Sequence, residues 1–408
     1  MCEDSNLPRL LYLGNVPVES SYHGSALLHR LLSEYPPEKL LILEGSTPHG
    51  SQPARRLSFV AYGMFPSGFR QLLRSLLLIP YGTYLISRAE SWWCKVDRFC
   101  AGFAPQAVLT VAHGPLWLTA AAFARQRGLP LHLICHDDIG STMHLPLALR
   151  PWLERKFANI YQQAASRLCV SVYMQEDYER RFGASGRVLH PSRARDAVIH
   201  DTPPARLHLP CARLTVAYGG TINSAGHYKS LRDLAIALQQ VGGQLLIFGL
   251  TREGARSCGL AAPNIKTRGL VSSSEMIKAF REEADALAVS MSFDPKHSTA
   301  LRTNFPSKLT DYTAAGLPLL IHGPADSSAV RWASENAGVG EIVTEPGVQA
   351  LLPALHRLQQ DATRRVALAQ AAIRVGGEYF SPTRAREVFL GAISPAYQGP
   401  SQSVAGSS

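Results

Sequence analysis

The stretch NFPSKLTDYTAAGLPLLIHGP, residues 304–324, carries the clearest structural punctuation in the chain. Pro306 suits the first position of a helix, where the N–H it lacks would have had no partner anyway. Gly316 suits the left-handed position that ends one. The apolar run LPLLIHG that follows has the content of a buried strand. Between these marks, Lys308 and Asp311 stand three residues apart and so share one side of the helix. With Pro306 at the first position, the N–H groups of Ser307 and Lys308 are expected to leave the helix at the positive end of its dipole, an anion site with an ammonium built in. A carboxylate at Asp311 can accept the hydroxyls of a ribose. The plainer reading is a surface ion pair between Lys308 and Asp311 on a structural helix.

Working outward, strand-like and helix-like runs alternate along the whole chain. RLLYLGN, KLLILEG, AVLTVAHG, LPLHLICHDD and RLCVSV are separated by helical stretches, as are LTVAYGG, QLLIFG and ADALAVSMS later on. Such alternation predicts parallel sheets covered by helices on both faces. Ser272 and Glu275 form a capping-box pattern that opens one of these helices. The alternation breaks over 191–213, rich in Pro, Arg and His, and this stretch reads as a linker. We therefore expect an N-terminal Rossmann-like domain over 1–200 and a second over 201–380. The segment 381–408 is expected to be a helix returning to the first domain, followed by a disordered polar tail.

At 408 residues and 46% hydrophobic, the chain has ample material for two cores. Lys and Arg outnumber Asp and Glu by 41 to 31, a formal charge of +10, which favours anionic partners. No basic run interleaved with aromatics suggests nucleic acid. Seven cysteines without a CxxC pair point to a reducing cytoplasm, and no export signal or spanning segment is read. The apolar segment 65–93, with Arg70, Arg74, Arg88 and several aromatics, reads either as a core helix pair interrupted by Pro80 and Gly82 or as a surface lying on a bilayer.

In a parallel sheet, ligands gather at the carboxyl ends of strands, so residues just beyond each strand are the functional candidates. Gly14 and Asn15, followed by a helix carrying His23 and Gly24, form one such place, which equally fits an ordinary strand-to-helix turn. His136, Asp137 and Asp138 form another: the imidazole suits a base or a partner for a substrate hydroxyl, and the carboxylates suit caps of the next segment. A metal there lacks a second ligand cluster in the sequence. Gly219 and Gly220 end the first strand of the second domain, with Lys229 in reach of a phosphate there or simply solvated.

Taken together, FPSKLTDYTAAGLPLLIHG, SSYHGSALLHRLLSEYP, RLCVSVYMQEDYERRFG and NIKTRGLVSSSEMIKAFREEADALAVS resemble the retaining glycosyltransferases of the two-Rossmann type (GT-B), closest to the large family-four group. The resemblance implies an α/β fold of two Rossmann-like domains facing a central cleft. It also implies a nucleotide diphosphate sugar as donor, with no cofactor or metal required, and transfer to a glycan or lipid-linked acceptor in cell-surface polysaccharide synthesis. Such a protein is cytoplasmic, at the inner face of the plasma membrane, with 65–93 as its membrane contact. By position, Gly219, Gly220, Lys229, Arg302, Asn304, Ser307, Lys308 and Asp311 are implied to hold the donor. His136 and Asp138 are implied at the reacting sugar, and His23 and Gly24 on the acceptor side. The usual pair of glutamates with seven residues between them is replaced by Thr303 and Asp311, so the first acid is missing, as is the arginine after the glycine turn. A nucleotide-sugar 2-epimerase and a non-catalytic nucleotide-sugar scaffold are the alternative readings.

Overall fold

The computed structural model describes residues 6–20, 23–45, 55–65, 77–142, 145–195, 197–220, 222 and 224–394. The chain forms two compact units: one runs to Pro191 and resumes at Pro382, and the other spans Ser192–Ser381.

Seven parallel strands build the first unit: β1 (Leu10–Gly14), β2 (Leu40–Gly45), β3 (Ala61–Phe65), β4 (Ala107–Val111), β5 (Leu131–Cys135), β6 (Ser166–Cys169) and β7 (Arg187–Val188). Their order is β3-β2-β1-β4-β5-β6-β7, so the winding direction reverses between β1 and β4. Strand residues alternate between two apolar layers, as the two-residue period requires. Leu10, Tyr12, Ile42 and Leu109 pack on one face, and Leu11, Leu13, Leu43 and Val108 on the other. Because both faces are buried, the strands read in the sequence as continuous apolar runs. The helix Pro382–Ile393 completes the first layer with Ala385, Phe389, Leu390 and Ile393.

The second unit holds β8 (Thr215–Gly219), β9 (Gln244–Phe248), β10 (Ile265–Arg268), β11 (Ala286–Ser290), β12 (Leu319–His322) and β13 (Gly340–Val343), all parallel, in the order β10-β9-β8-β11-β12-β13. Its winding reverses between β8 and β11. In such sheets the crevice outside the carboxyl ends, at the reversal, is where ligands bind. The capping box forms as read: the Ser272 N–H donates to Glu275 Oε2 at 2.9 Å, and the Glu275 N–H donates to Ser272 Oγ at 3.3 Å.

Two expectations need adjusting. The break between units falls at 191/192 rather than near 200, because Arg193 is already anchored in the second unit, its N–H donating to the Phe380 carbonyl at 3.0 Å. In the 65–93 segment, residues 66–76 lie outside the described set. Beyond them one helix, Leu78–Ala89, runs through Pro80 and Gly82 without interruption. Pro80 falls in its first turn, where a backbone N–H has no intrahelical acceptor to lose. The polar tail read as disordered lies outside the described residues.

Candidate active site

The two units carry candidate residues separately, each group at the carboxyl ends of its own strands.

In the second unit the group is built around Lys308. Its Nζ stands 3.9 Å from the ring centroid of Tyr218, the penultimate residue of β8, where the aromatic face attracts the cation. The backbone then passes through Gly219 and Gly220. Gly220 has φ 127°, a conformation a side chain rarely adopts, and a Cβ there would lie 3.8 Å from Lys308 Nζ. Tyr312 fixes this strand end from below: its hydroxyl accepts from the Gly219 N–H at 2.7 Å and donates to the Gly219 carbonyl at 3.1 Å. Phe280 braces Tyr312 edge-on, with ring centroids 5.6 Å apart. His227, near the start of the helix Ala225–Gln240, completes the cluster. Burial, then the charges of Lys308 and His297, push its pKa down to about 4, so it is neutral at physiological pH.

The regular helix of the opening motif begins at Leu309, later than Pro306 suggests. Residues 306–308 form a tight turn ahead of it, in which the Leu309 N–H reaches the Pro306 carbonyl at 3.1 Å and the Thr310 N–H the Ser307 carbonyl at 3.1 Å. Gly316 ends the helix at φ 64°, as expected. Asp311 is half-buried, and its charge is felt by Arg193. That arginine is 3% exposed and donates to the Thr310 carbonyl at 3.3 Å and to Thr313 Oγ1 at 2.9 Å. Thr303, at the position of the missing acid, is buried and bonds back to the Thr299 carbonyl at 3.0 Å. Asn304 accepts from Thr303 Oγ1 at 3.3 Å, and its carbonyl takes the Ser328 hydroxyl. Arg302 pairs loosely with Asp326 at 3.7 Å. Lys229 pairs one helical turn along with Asp233 at 2.8 Å, so the cation nearest the glycine turn is Lys308.

In the first unit, His136 follows β5 and Gly24 lies against it. A Cβ on Gly24 would come 2.8 Å from His136 Cε1, so only glycine lets the helix His23–Leu32 approach the imidazole this closely. His136 Nε2 is 3.2 Å from Asp137 Oδ2, and its Nδ1 is buried with no hydrogen-bond partner among the described residues. Asp138 turns to other partners: Oδ1 accepts from Arg181 Nη1 at 2.7 Å and Oδ2 from the Gly140 N–H at 3.0 Å. The carboxylate set against the imidazole is thus Asp137, while Asp138 is 4% exposed and caps the short helix Ile139–Thr142. Asn15, at the tip of β1, accepts the Leu116 N–H at 2.8 Å and so caps the helix after β4. His113, between β4 and that helix, brings a second imidazole, its ring centroid 5.7 Å from that of His136.

Sequence reasoning missed Tyr218, Tyr312, His227 and His113 and passed over Asp137 in favour of its neighbour. His113 had a usable signal, since it follows an apolar strand just as His136 does.

More than nine-tenths of the chain aligns with solved structures of one architecture. HepE from Anabaena in complex with UDP and glucose shares 14% identity, covering 95% of this chain and 99% of that one, with TM-score 0.62. Sucrose-phosphate synthase from Thermosynechococcus elongatus shares 14% over 92% of this chain and 96% of that one, with TM-score 0.64. Trehalose 6-phosphate synthase from Burkholderia multivorans shares 13% over 95% and 96%, with TM-score 0.64. The fold is GT-B. No protein-family model and no curated protein sequence matches the chain, so likeness at this identity speaks for the fold alone. The family-four likeness and its variant motif rest on the sequence.

Proposed function

We propose that this protein is a glycosyltransferase that takes a sugar from a nucleotide diphosphate donor. The observation that carries the reading is the placement of the Lys308 ammonium over Tyr218, against the Gly219–Gly220 turn at the carboxyl end of β8. A cation fixed at that point of a GT-B domain suits a diphosphate. As the anomeric C–O bond breaks, its electron pair goes to the diphosphate oxygen, and a fixed ammonium stabilises the charge that develops there. His227, kept neutral, adds no second positive charge but can hydrogen-bond a phosphate or sugar hydroxyl. Asp311 takes the ribose. Ser307, Asn304 and Arg302 belong to the same loop region, and Gly219 lets Met276 and Phe280 close on the strand end, where a Cβ would meet Met276 Sδ at 2.5 Å.

On the first unit, His136 is assigned to a hydroxyl of the reacting sugar, oriented by Asp137. Asp138 acts as a positioning residue through its bonds to Arg181 and Gly140. Gly24 and His23 stand on the acceptor side. Retention follows if the acceptor hydroxyl attacks from the face the diphosphate leaves, its proton passing to a leaving phosphate oxygen. The chain needs no metal for this route, because Lys308 supplies the charge.

No helix among the described residues is long and apolar enough to cross a membrane. Leu77, just before the helix that follows the 66–76 segment, and Tyr84, seven residues on along the same side, are each about half exposed. We assign this apolar edge to a bilayer surface carrying a lipid-linked acceptor, as in polysaccharide synthesis at the inner face of a plasma membrane. Sedimentation with anionic vesicles, lost in Tyr84→Glu, checks it.

The scaffold reading has one observation in its favour, the buried and self-bonded Thr303 where an acid is usual. Paired variants decide the matter. Lys308→Ala is expected to weaken donor binding by at least about tenfold, the scale of one charge-assisted contact. His136→Ala is expected to lower turnover while leaving donor affinity intact. Donor binding with no transfer to any acceptor in the wild-type protein would favour the scaffold, and unchanged donor affinity in Lys308→Ala would remove the phosphate site.

A further inference from the structure

The donor reading uses His136 but leaves His113 without a role, and these two imidazoles share one carboxylate. His113 Nδ1 lies 3.8 Å from Asp137 Oδ2, and His136 Nε2 lies 3.2 Å from the same oxygen. The three residues offer ligand atoms that all fall within 4.8 Å of one another. Zinc–nitrogen and zinc–oxygen bonds of about 2.0–2.2 Å place neighbouring ligand atoms of a tetrahedral site about 3.4 Å apart. The two distances to the carboxylate oxygen bracket that value before any side chain moves.

We propose that His113, His136 and Asp137 form a binding site for a divalent transition ion of the zinc class. Two imidazoles and one carboxylate select such an ion over magnesium or calcium, which take oxygen ligands. The backbones that carry the ligands are fixed by sheet pairing, since β4 and β5 run side by side with Val111 opposite Ile134. Asp138 is engaged by Arg181 and Gly140, so the chain supplies three ligands and the fourth position is left to solvent or a substrate oxygen. The side chains of His113 and Asp137 are 42% and 38% exposed, which gives an ion a path in. The sequence set a metal aside for want of a second ligand cluster near His136, and the fold brings His113 to it from a neighbouring strand.

An ion held by His136 Nε2 and Asp137 Oδ2 replaces the contact by which Asp137 orients the imidazole, so zinc acts as a reversible inhibitor. This consequence rests on the transfer reading above, whereas the site itself does not.

The test uses the full chain without a histidine tag. Equilibrium dialysis against zinc is expected to give one tightly held ion per chain, with affinity at least about tenfold weaker in His113→Ala. Cobalt in place of zinc is expected to show the intense visible bands of a tetrahedral centre, lost in the same variant. Circular dichroism confirms that the variant is folded, and Asp137→Asn provides an independent second removal. Zinc affinity unchanged in both variants, or no tight ion at all, overturns the site. In transfer assays, zinc is expected to inhibit the wild type reversibly and to spare His113→Ala. Tight zinc binding with unaffected transfer would overturn the inhibitory role while leaving the site in place, and loss of nucleotide binding in Lys308→Ala is read out separately.

Discussion

At the scale of single residues, both groups of candidate residues depend on close approaches that one atom would spoil. Gly24 is the sharpest case on the first unit. An added methyl would meet the His136 ring at 2.8 Å and would have to push the imidazole aside. Gly24→Ala is therefore expected to lower turnover while donor affinity, read by calorimetry, stays within about twofold. A variant with full turnover would separate Gly24 from the imidazole's function. Residue-scale features were unevenly legible in the sequence. Lys308 stood out because proline and glycine punctuate its helix. Lys229 looked equivalent by its distance from the glycine turn, yet Asp233 lies one helical turn away and claims it. Asp137 and Asp138 are indistinguishable in a string of letters. Only the Arg181 side chain, which lies beyond β6, shows which carboxylate is engaged elsewhere.

At the scale of elements, the strand end at Gly219 depends on a helix distant in sequence. Tyr312 both accepts from and donates to the Gly219 backbone, and it is fully buried. Tyr312→Phe keeps the ring but leaves a buried N–H without its acceptor, which costs about 1–3 kcal/mol. Chemical denaturation is expected to show a loss in that range together with weaker nucleotide binding. A loss well under 1 kcal/mol would mean that water replaces the hydroxyl. Element types and order were readable because strands buried on both faces appear as unbroken apolar runs. Helix starts were less so. The helix after Pro306 begins at Leu309 because the preceding turn closes on itself, and the helix over Pro80 continues because a proline in a first turn breaks nothing.

At the scale of the whole molecule, histidines that the fold holds neutral contribute to acid stability. His132, on β5, is 3% exposed and bonds Ser166 Oγ at 2.8 Å. Burial lowers its pKa from 6.5 to about 4, and burial also takes His190 and His227 to about 4. Below pH 6.5 the unfolded chain binds protons that the folded chain refuses. Their contribution is whole above pH 6.5 and falls as pH drops toward 4, by at most about 3 kcal/mol for each group. His132→Leu is expected to flatten this part of the stability curve, although losing the Ser166 bond lowers stability at pH 7 by about 1 kcal/mol. An unchanged slope between pH 6.5 and 4 would mean that His132 is not held neutral. Two units of parallel strands covered by helices were legible as alternating runs, whereas the strand order within each comes from the structure. The exact break between them was not, because Arg193 belongs to the second unit through contacts with residues more than a hundred positions away.

Whether Lys308 holds the diphosphate of a nucleotide donor is decided by a thermal-shift series on the purified protein with UDP, GDP, ADP and CMP and their sugars, run in parallel on Lys308→Ala. A ligand that binds only the folded chain raises its melting temperature, by linkage. One nucleoside diphosphate and its sugar conjugate are expected to stabilise the wild type and leave Lys308→Ala unmoved. Absence of a shift with every nucleotide, or an equal shift in both proteins, would contradict it.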